Sequence, residues 1–189
     1  MSAALTTQAR APAVKLEPSV VFRCQNFVFA TFVRWVERLL LHDEVSLVEV
    51  RGKGARSKEL ALEGQTAGKL VRIGGQDYCP WNLGTMLGLE PTSGAWILLR
   101  VPHHGTEVRL ALEIDACLLV KPVVEVNWLP PELFRARTHA ITGAFPLGQV
   151  LPGAVEAIGL TLDAGVLWTA EELESSVALL GRLHPGLSP

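Results

Sequence analysis

The sequence predicts a mainly β fold in which two small barrels pack together with little helix. Three observations predict it. Short segments rich in β-branched and aromatic residues recur along the chain, each bounded by Gly, Pro, Asn or Asp. Both halves open on a hairpin-like pair, and both then run through strand, tryptophan, capping residue and short helix, at Trp81-Asn82-Leu83-Gly84-Thr85-Met86-Leu87 and at Trp168-Thr169-Ala170-Glu171-Glu172-Leu173. With 49% hydrophobic residues in 189, the chain also has enough apolar surface to bury a core.

Each element follows in order. "VVFRC", the turn "QN" and "FVFATFVRWV" read as a hairpin, with "SLVEV" as the next strand. "RGKGARSKELALEGQTAG" is polar and glycine-rich and reads as an exposed loop whose Arg51, Lys53, Arg56 and Lys58 form a solvated surface. "KLVRI" is a strand, "GGQD" its turn and "YCPW" the return strand. Asn82 stands where a side-chain oxygen caps a helix; Leu83, Met86 and Leu87 share one helical face, and Gly88 ends it. "WILLRV" and "TEVRLALEI" flank "PHHG" as a hairpin in which Val108, Leu110, Leu112 and Ile114 alternate with Arg109, Ala111 and Glu113. After "ACLLV", "PVVEVNWL", "PPEL" and "AITGAFPLG", Asp163-Ala164-Gly165 form a tight turn and "VLW" is read as the last strand. Thr169 with Glu172 makes a capping box opening a helix whose expected buried face is Leu173, Val177 and Leu180.

Composition narrows the function. A net charge of −2 and a pI near 6.2 supply no basic surface for nucleic acid or an anionic membrane. Charged residues at 19% and a mean hydropathy of +0.29 leave apolar surface for a partner. Apolar runs such as "WILL" are far shorter than the roughly 20 residues that span a bilayer. Cys24, Cys79 and Cys117 are odd in number and widely spaced, which suits reduced, buried thiols in a cytosol. The first 18 residues have no signal-like apolar core; their early lack of acidic residues also suits a transit peptide, but a flexible tail is the expectation.

The order of these segments resembles the CheW-like family of bacterial chemosensory coupling proteins, over roughly Ser19 to Glu174. "GKLVRIGGQDYCPWNLGTMLGL" is similar to the family's G-x-I-N-L-R-G-x-x-x-P-x-x-D-L-x-x-x-L-G-L, and "RLALEIDACLLV" to its R-x-A-L-x-V-D-x-V. "AITGAFPLG" and "VLWTAEEL" fall where the family has its late G-V-A strand and its closing L-L-D-L-x-x-L. The chain departs from the pattern at Arg72-Ile73-Gly74-Gly75, where the family often has Asn-Leu-Arg-Gly, so its arginine stands two positions earlier. Asn82 and Thr169 replace aspartates at the two helix starts, and Pro80 is displaced by one position.

The resemblance implies two five-stranded SH3-like barrels around a shared apolar core, roughly 19–92 and 93–174, within a CheW-like domain of 19–184 that follows a tail of 1–18 and carries a helix at about 170–183. It also implies no catalysis and no cofactor, and the spacing of the histidines gives no expectation of a metal site. The implied partners are proteins in the bacterial cytoplasm: a chemoreceptor tip and the regulatory domain of a CheA-type kinase, or the members of another signalling, motility or polarity system. Arg72, Ile73, Gly74, Gly75 and Asp115 are the partner-contact candidates, with Asp115 read first as a turn-fixing acceptor.

Other chemistry is weighed against this reading. A small barrel enzyme would use Cys79 or a metal at His103 and His104, but no orienting carboxylate accompanies the cysteine, and neighbouring strand residues point to opposite faces. "VRIGGQD" lacks the Gly-Lys-Ser/Thr ending of a phosphate loop. Trp35, Trp81, Trp96, Trp128 and Trp168 sit within or at the ends of strands, which favours core packing over base stacking in a nucleic-acid-binding barrel.

Overall fold

The computed structural model describes residues 17–50, 62, 64–66, 68–124, 137–154 and 157–181. The basic loop at 51–61, Trp128 and "PPEL" lie outside them.

β1 (Pro18–Cys24) and β2 (Phe27–Phe32) form the first hairpin about Gln25, whose φ of 55° serves the two-residue turn. The long apolar run then breaks where continuity was expected. Val33–Trp35 make one 3-10 turn, and β3 (Val36–Leu41) leaves for the other sheet. The turn is anchored by Trp35 Nε1, which donates to Asp163 Oδ1 at 3.0 Å. β4 (Ser46–Glu49), β5 (Lys69–Ile73) and β6 (Gln76–Asn82) follow, then α1 (Leu83–Met86), β7 (Ala95–His103), β8 (Thr106–Ile114), β9 (Ala116–Pro122), β10 (Ile141–Pro146), β11 (Ile158–Leu162) and α2 (Ala170–Gly181).

The strands form two sheets of SH3-like, mainly β character, ordered β10-β11-β2-β1-β9 and β3-β7-β8-β6-β5-β4. Sheet membership does not follow the halves of the chain. β1 and β2 join the late strands, while β3 to β8 form the other sheet, so a boundary at 92/93 does not separate the sheets.

Alternation along the strands explains why so many read as unbroken apolar runs: both faces are covered. Phe22 and Phe29 of the first sheet meet Ile97, Leu99, Leu110 and Leu112 of the second in one central core. Val21, Ala30 and Phe145 turn to the opposite face of the first sheet, and Val71, Tyr78, Trp96, Leu98 and Ala111 do the same in the second. Three apolar layers therefore alternate with two sheets.

α2 closes the central layer. Its capping box forms as expected, Thr169 N donating to Glu172 Oε2 at 2.8 Å and Glu172 N to Thr169 Oγ1 at 3.3 Å. Its buried face differs from the expectation: Leu173, Glu172 and Ser176 turn inward, while Val177 is 44% exposed. Ser176 faces in because Trp81 Nε1 donates to its Oγ at 3.2 Å. "VLW" is a bend and not a strand. Side chains occupy its carbonyls, Arg137 Nη1 donating to Leu167 O at 2.8 Å and His139 Nε2 lying 3.0 Å from Val166 O.

Candidate partner-binding surface

Four of the five sequence candidates lie on the β5–β6 hairpin. Gly74 and Gly75, at φ 57° and 80°, form a two-residue turn that an L side chain would strain, and both are exposed. Arg72 and Asp77 pair across this hairpin. Arg72 Nε donates to Asp77 Oδ1 at 2.7 Å and Nη2 to Oδ2 at 3.0 Å, with the arginine side chain 43% exposed and the aspartate 3%. The arginine that the family pattern places two residues later is thus engaged within its own hairpin.

Beside the turn lies an open cleft of about 320 Å³, lined by Ile73, Gly74, Gln76 and Tyr78, by Glu37 and Arg38 of β3, and by Leu98 of β7. Glu37 divides it from a second depression bordered by Trp35, Arg100 and Glu107. Glu37 and Arg100 make a two-bond ion pair of 2.9 and 2.6 Å. Hydrogen bonding from Arg100 holds the Glu37 carboxyl below its ordinary range against the opposing effect of burial. Burial, followed by hydrogen bonding with Glu37 and then by the Glu37 charge, pushes the Tyr78 phenol up. The surface is half apolar and carries charges paired to one another, an arrangement suited to recognition by shape with a polar rim. Glu37, Arg38 and Arg100 escaped the sequence reading because they belong to a strand hidden in the run "FVRWVERLLL" and to its partner.

Asp115 is not among the residues lining this cleft. It stands between β8 and β9, where the chain crosses from one sheet to the other. Its carboxylate accepts from the N–H of Gln25 and, at 3.3 Å, from that of Ser93, while its own N–H donates to Arg23 O at 3.1 Å. Packing around it is close: a Cβ on Gly94 would meet Asp115 O at 2.1 Å.

Cys24 and Cys79 are buried and Cys117 is half-buried. Burial, reinforced by the Asp115 charge, pushes Cys24 up to about 12, and burial also raises Cys79 and Cys117. Cys79 Sγ accepts from Gln65 Nε2 at 3.1 Å, with Ser176 and Trp81 as its other polar neighbours. His103 and His104, expected on opposite faces, come together instead. His104 has a φ of 46°, and the two ring centroids are 4.1 Å apart.

Two packed SH3-like sheets with a shared core and a short C-terminal helix define a CheW-like fold. The chain is similar, over 86% of its length and 94% of the other chain, to the crystal structure of the scaffolding protein TtCheW from Thermoanaerobacter tengcongensis, with a TM-score of 0.55 and 14% identity. At that identity the likeness is one of fold. No protein-family model and no curated protein matches the sequence. Among the described residues, no helix is long and apolar enough to cross a membrane.

Proposed function

We propose that this chain is a non-enzymatic scaffold of the chemosensory kind, joining a chemoreceptor tip to the regulatory domain of a CheA-type kinase or bridging proteins of a related signalling system in the bacterial cytoplasm. The observation that carries the reading is the fold likeness to a scaffolding protein over nearly the whole of both chains. Two features of the surface support it. β3 and β4 stand at the ends of the six-stranded sheet, where a partner strand can add by backbone pairing. Between them, the cleft beside Arg72, Ile73, Gly74 and Gly75 offers apolar area rimmed by paired charges. Asp115 is assigned to holding the crossover between the sheets, and contact with the partner to the hairpin side.

Crosslinking mass spectrometry in the native cell tests this, with Arg38→Glu beside the wild type. Arg38 lines the cleft, is exposed, and can be reversed in charge without cutting the Arg72–Asp77 pair. The expected result is crosslinks from the hairpin to a chemoreceptor or CheA-type kinase that are lost in the variant. Crosslinks absent from this face, or unchanged in the variant, overturn the assignment of the surface; absence of both partners overturns the chemosensory reading.

A further inference from the structure

We propose that His103, His104 and Glu174 form a binding site for a divalent transition metal of the imidazole-preferring class, with zinc as the reference. The inference stands apart from the scaffold reading, because its residues belong to the turn of the β7–β8 hairpin and to α2, and none of them lines the cleft or the neighbouring depression. Their ligand atoms all lie within 4.8 Å of one another.

The geometry follows from the turn. In a continuous strand His103 and His104 would face opposite ways, but the left-handed backbone of His104 swings its ring onto the side of His103. Glu174 arrives from α2, which packs against β8 of this hairpin, and its neighbour Leu173 belongs to the same central core as Val101 and Val108. Donors around tetrahedral zinc, with bonds of about 2.0–2.1 Å, sit about 3.4 Å apart. The remaining difference is about 1.4 Å at most, which falls to the side chains of the half-exposed His103 and the exposed His104 and Glu174.

Both supporting elements are already ordered. The hairpin pairs continuously from Ala95↔Ile114 to His103↔Thr106, and Thr106 Oγ1 donates to His103 O at 2.9 Å. The helix is held by its capping box and by the Trp81–Ser176 hydrogen bond. Binding therefore pays little conformational entropy beyond three side chains. Two imidazoles and one carboxylate leave the fourth tetrahedral position to water or to a ligand from another protein, and they select against magnesium and calcium, which prefer all-oxygen shells. A metal held here ties α2 to the hairpin and stabilises the folded chain by mass action.

Calorimetric titration of the full chain with zinc chloride, run beside magnesium chloride, tests the site. We expect one zinc per chain, no heat with magnesium, and an unfolding temperature that rises with zinc. Glu174→Gln and His104→Asn should each weaken zinc binding about tenfold or more, on the scale by which perturbing a metal shell lowers affinity, whereas His42→Gln should leave it unchanged. Asparagine is chosen because it tolerates the left-handed backbone. Zinc-dependent shifts of the His103 and His104 ring resonances in the wild type give a readout independent of any variant. Absence of those shifts, or unchanged affinity in both the Glu174→Gln and the His104→Asn variants, overturns the proposal.

Discussion

Arg72 and Asp77 face each other across the β5–β6 hairpin, joined by two hydrogen bonds, the carboxylate almost wholly inaccessible and the guanidinium partly in solvent. Replacing Arg72 by methionine removes two charge-assisted bonds from a carboxylate that water hardly reaches, whereas the Arg34–Glu17 pair is exposed at both ends, at 48% and 32%. In urea unfolding, Arg72→Met should lower the midpoint clearly and Arg34→Met hardly at all. Equal effects would show that the burial of Asp77 carries no energetic weight.

Arg137 and Glu172 supply the pH-dependent contact. Both side chains are nearly buried, at 12% and 8% exposure, and Arg137 grips the Glu172 carboxylate and the Leu167 carbonyl together. Burial raises the Glu172 carboxyl, but hydrogen bonds from Arg137 and Thr169 outweigh it and leave the group below its ordinary range. A carboxyl depressed on folding contributes stability that is complete above its unfolded value, about 4.3, and fades as pH falls through the lower folded value. Glu172→Gln should therefore be less stable than wild type at pH 7 and lose less between pH 5 and pH 3. Arg137→Met, which leaves a buried carboxylate, should cost about 3 kcal/mol at pH 7. Denaturant midpoints at the three pH values check both.

Asp115→Ala separates structure from recognition. The substitution strips acceptors from the N–H groups of Gln25 and Ser93, at a cost of about 1–3 kcal/mol. Affinity for a partner, measured per mole of folded protein, should not change. A loss of affinity with intact stability would return Asp115 to the contact surface.

Thiol labelling reports on the same interior. With Cys24 pushed up to about 12 and Cys79 raised by burial, neither should react with a disulfide reagent in native protein at pH 8, and all three should react once the chain is unfolded in urea. Rapid native reaction at Cys79 would revive a nucleophilic role.

What the sequence discloses is mostly local. The Gly74-Gly75 turn, the Asn82 cap, which accepts from Thr85 N at 3.2 Å, and the Thr169–Glu172 box each depend on neighbours within a few residues, and each is found where expected. Readings that need distant partners fare differently. β3 was invisible because Val33–Trp35 turn without glycine or proline, held by Asp163 far along the chain. "VLW" has strand composition, but Arg137 and His139 claim its carbonyls. Val177 has the helical spacing of a core residue and lost the place to Ser176, because a buried indole needed an acceptor. The cleft joins Glu37 and Arg38 to Ile73 and Tyr78, and no sequence spacing announces that meeting.

The interleaving of early and late strands bears on how the protein is made. A ribosome releases β1 and β2 long before β9 and β11, the strands that pair with them on either side. Until then the hairpin has its turn but neither neighbour, and Phe22 and Phe29 lack the core they share with the second sheet. The six-stranded sheet is contiguous in sequence and can complete first, offering those rings a surface on which to wait. The topology thus favours biogenesis from the middle of the chain outward, with its most vulnerable interval between the emergence of Ile114 and that of Leu162.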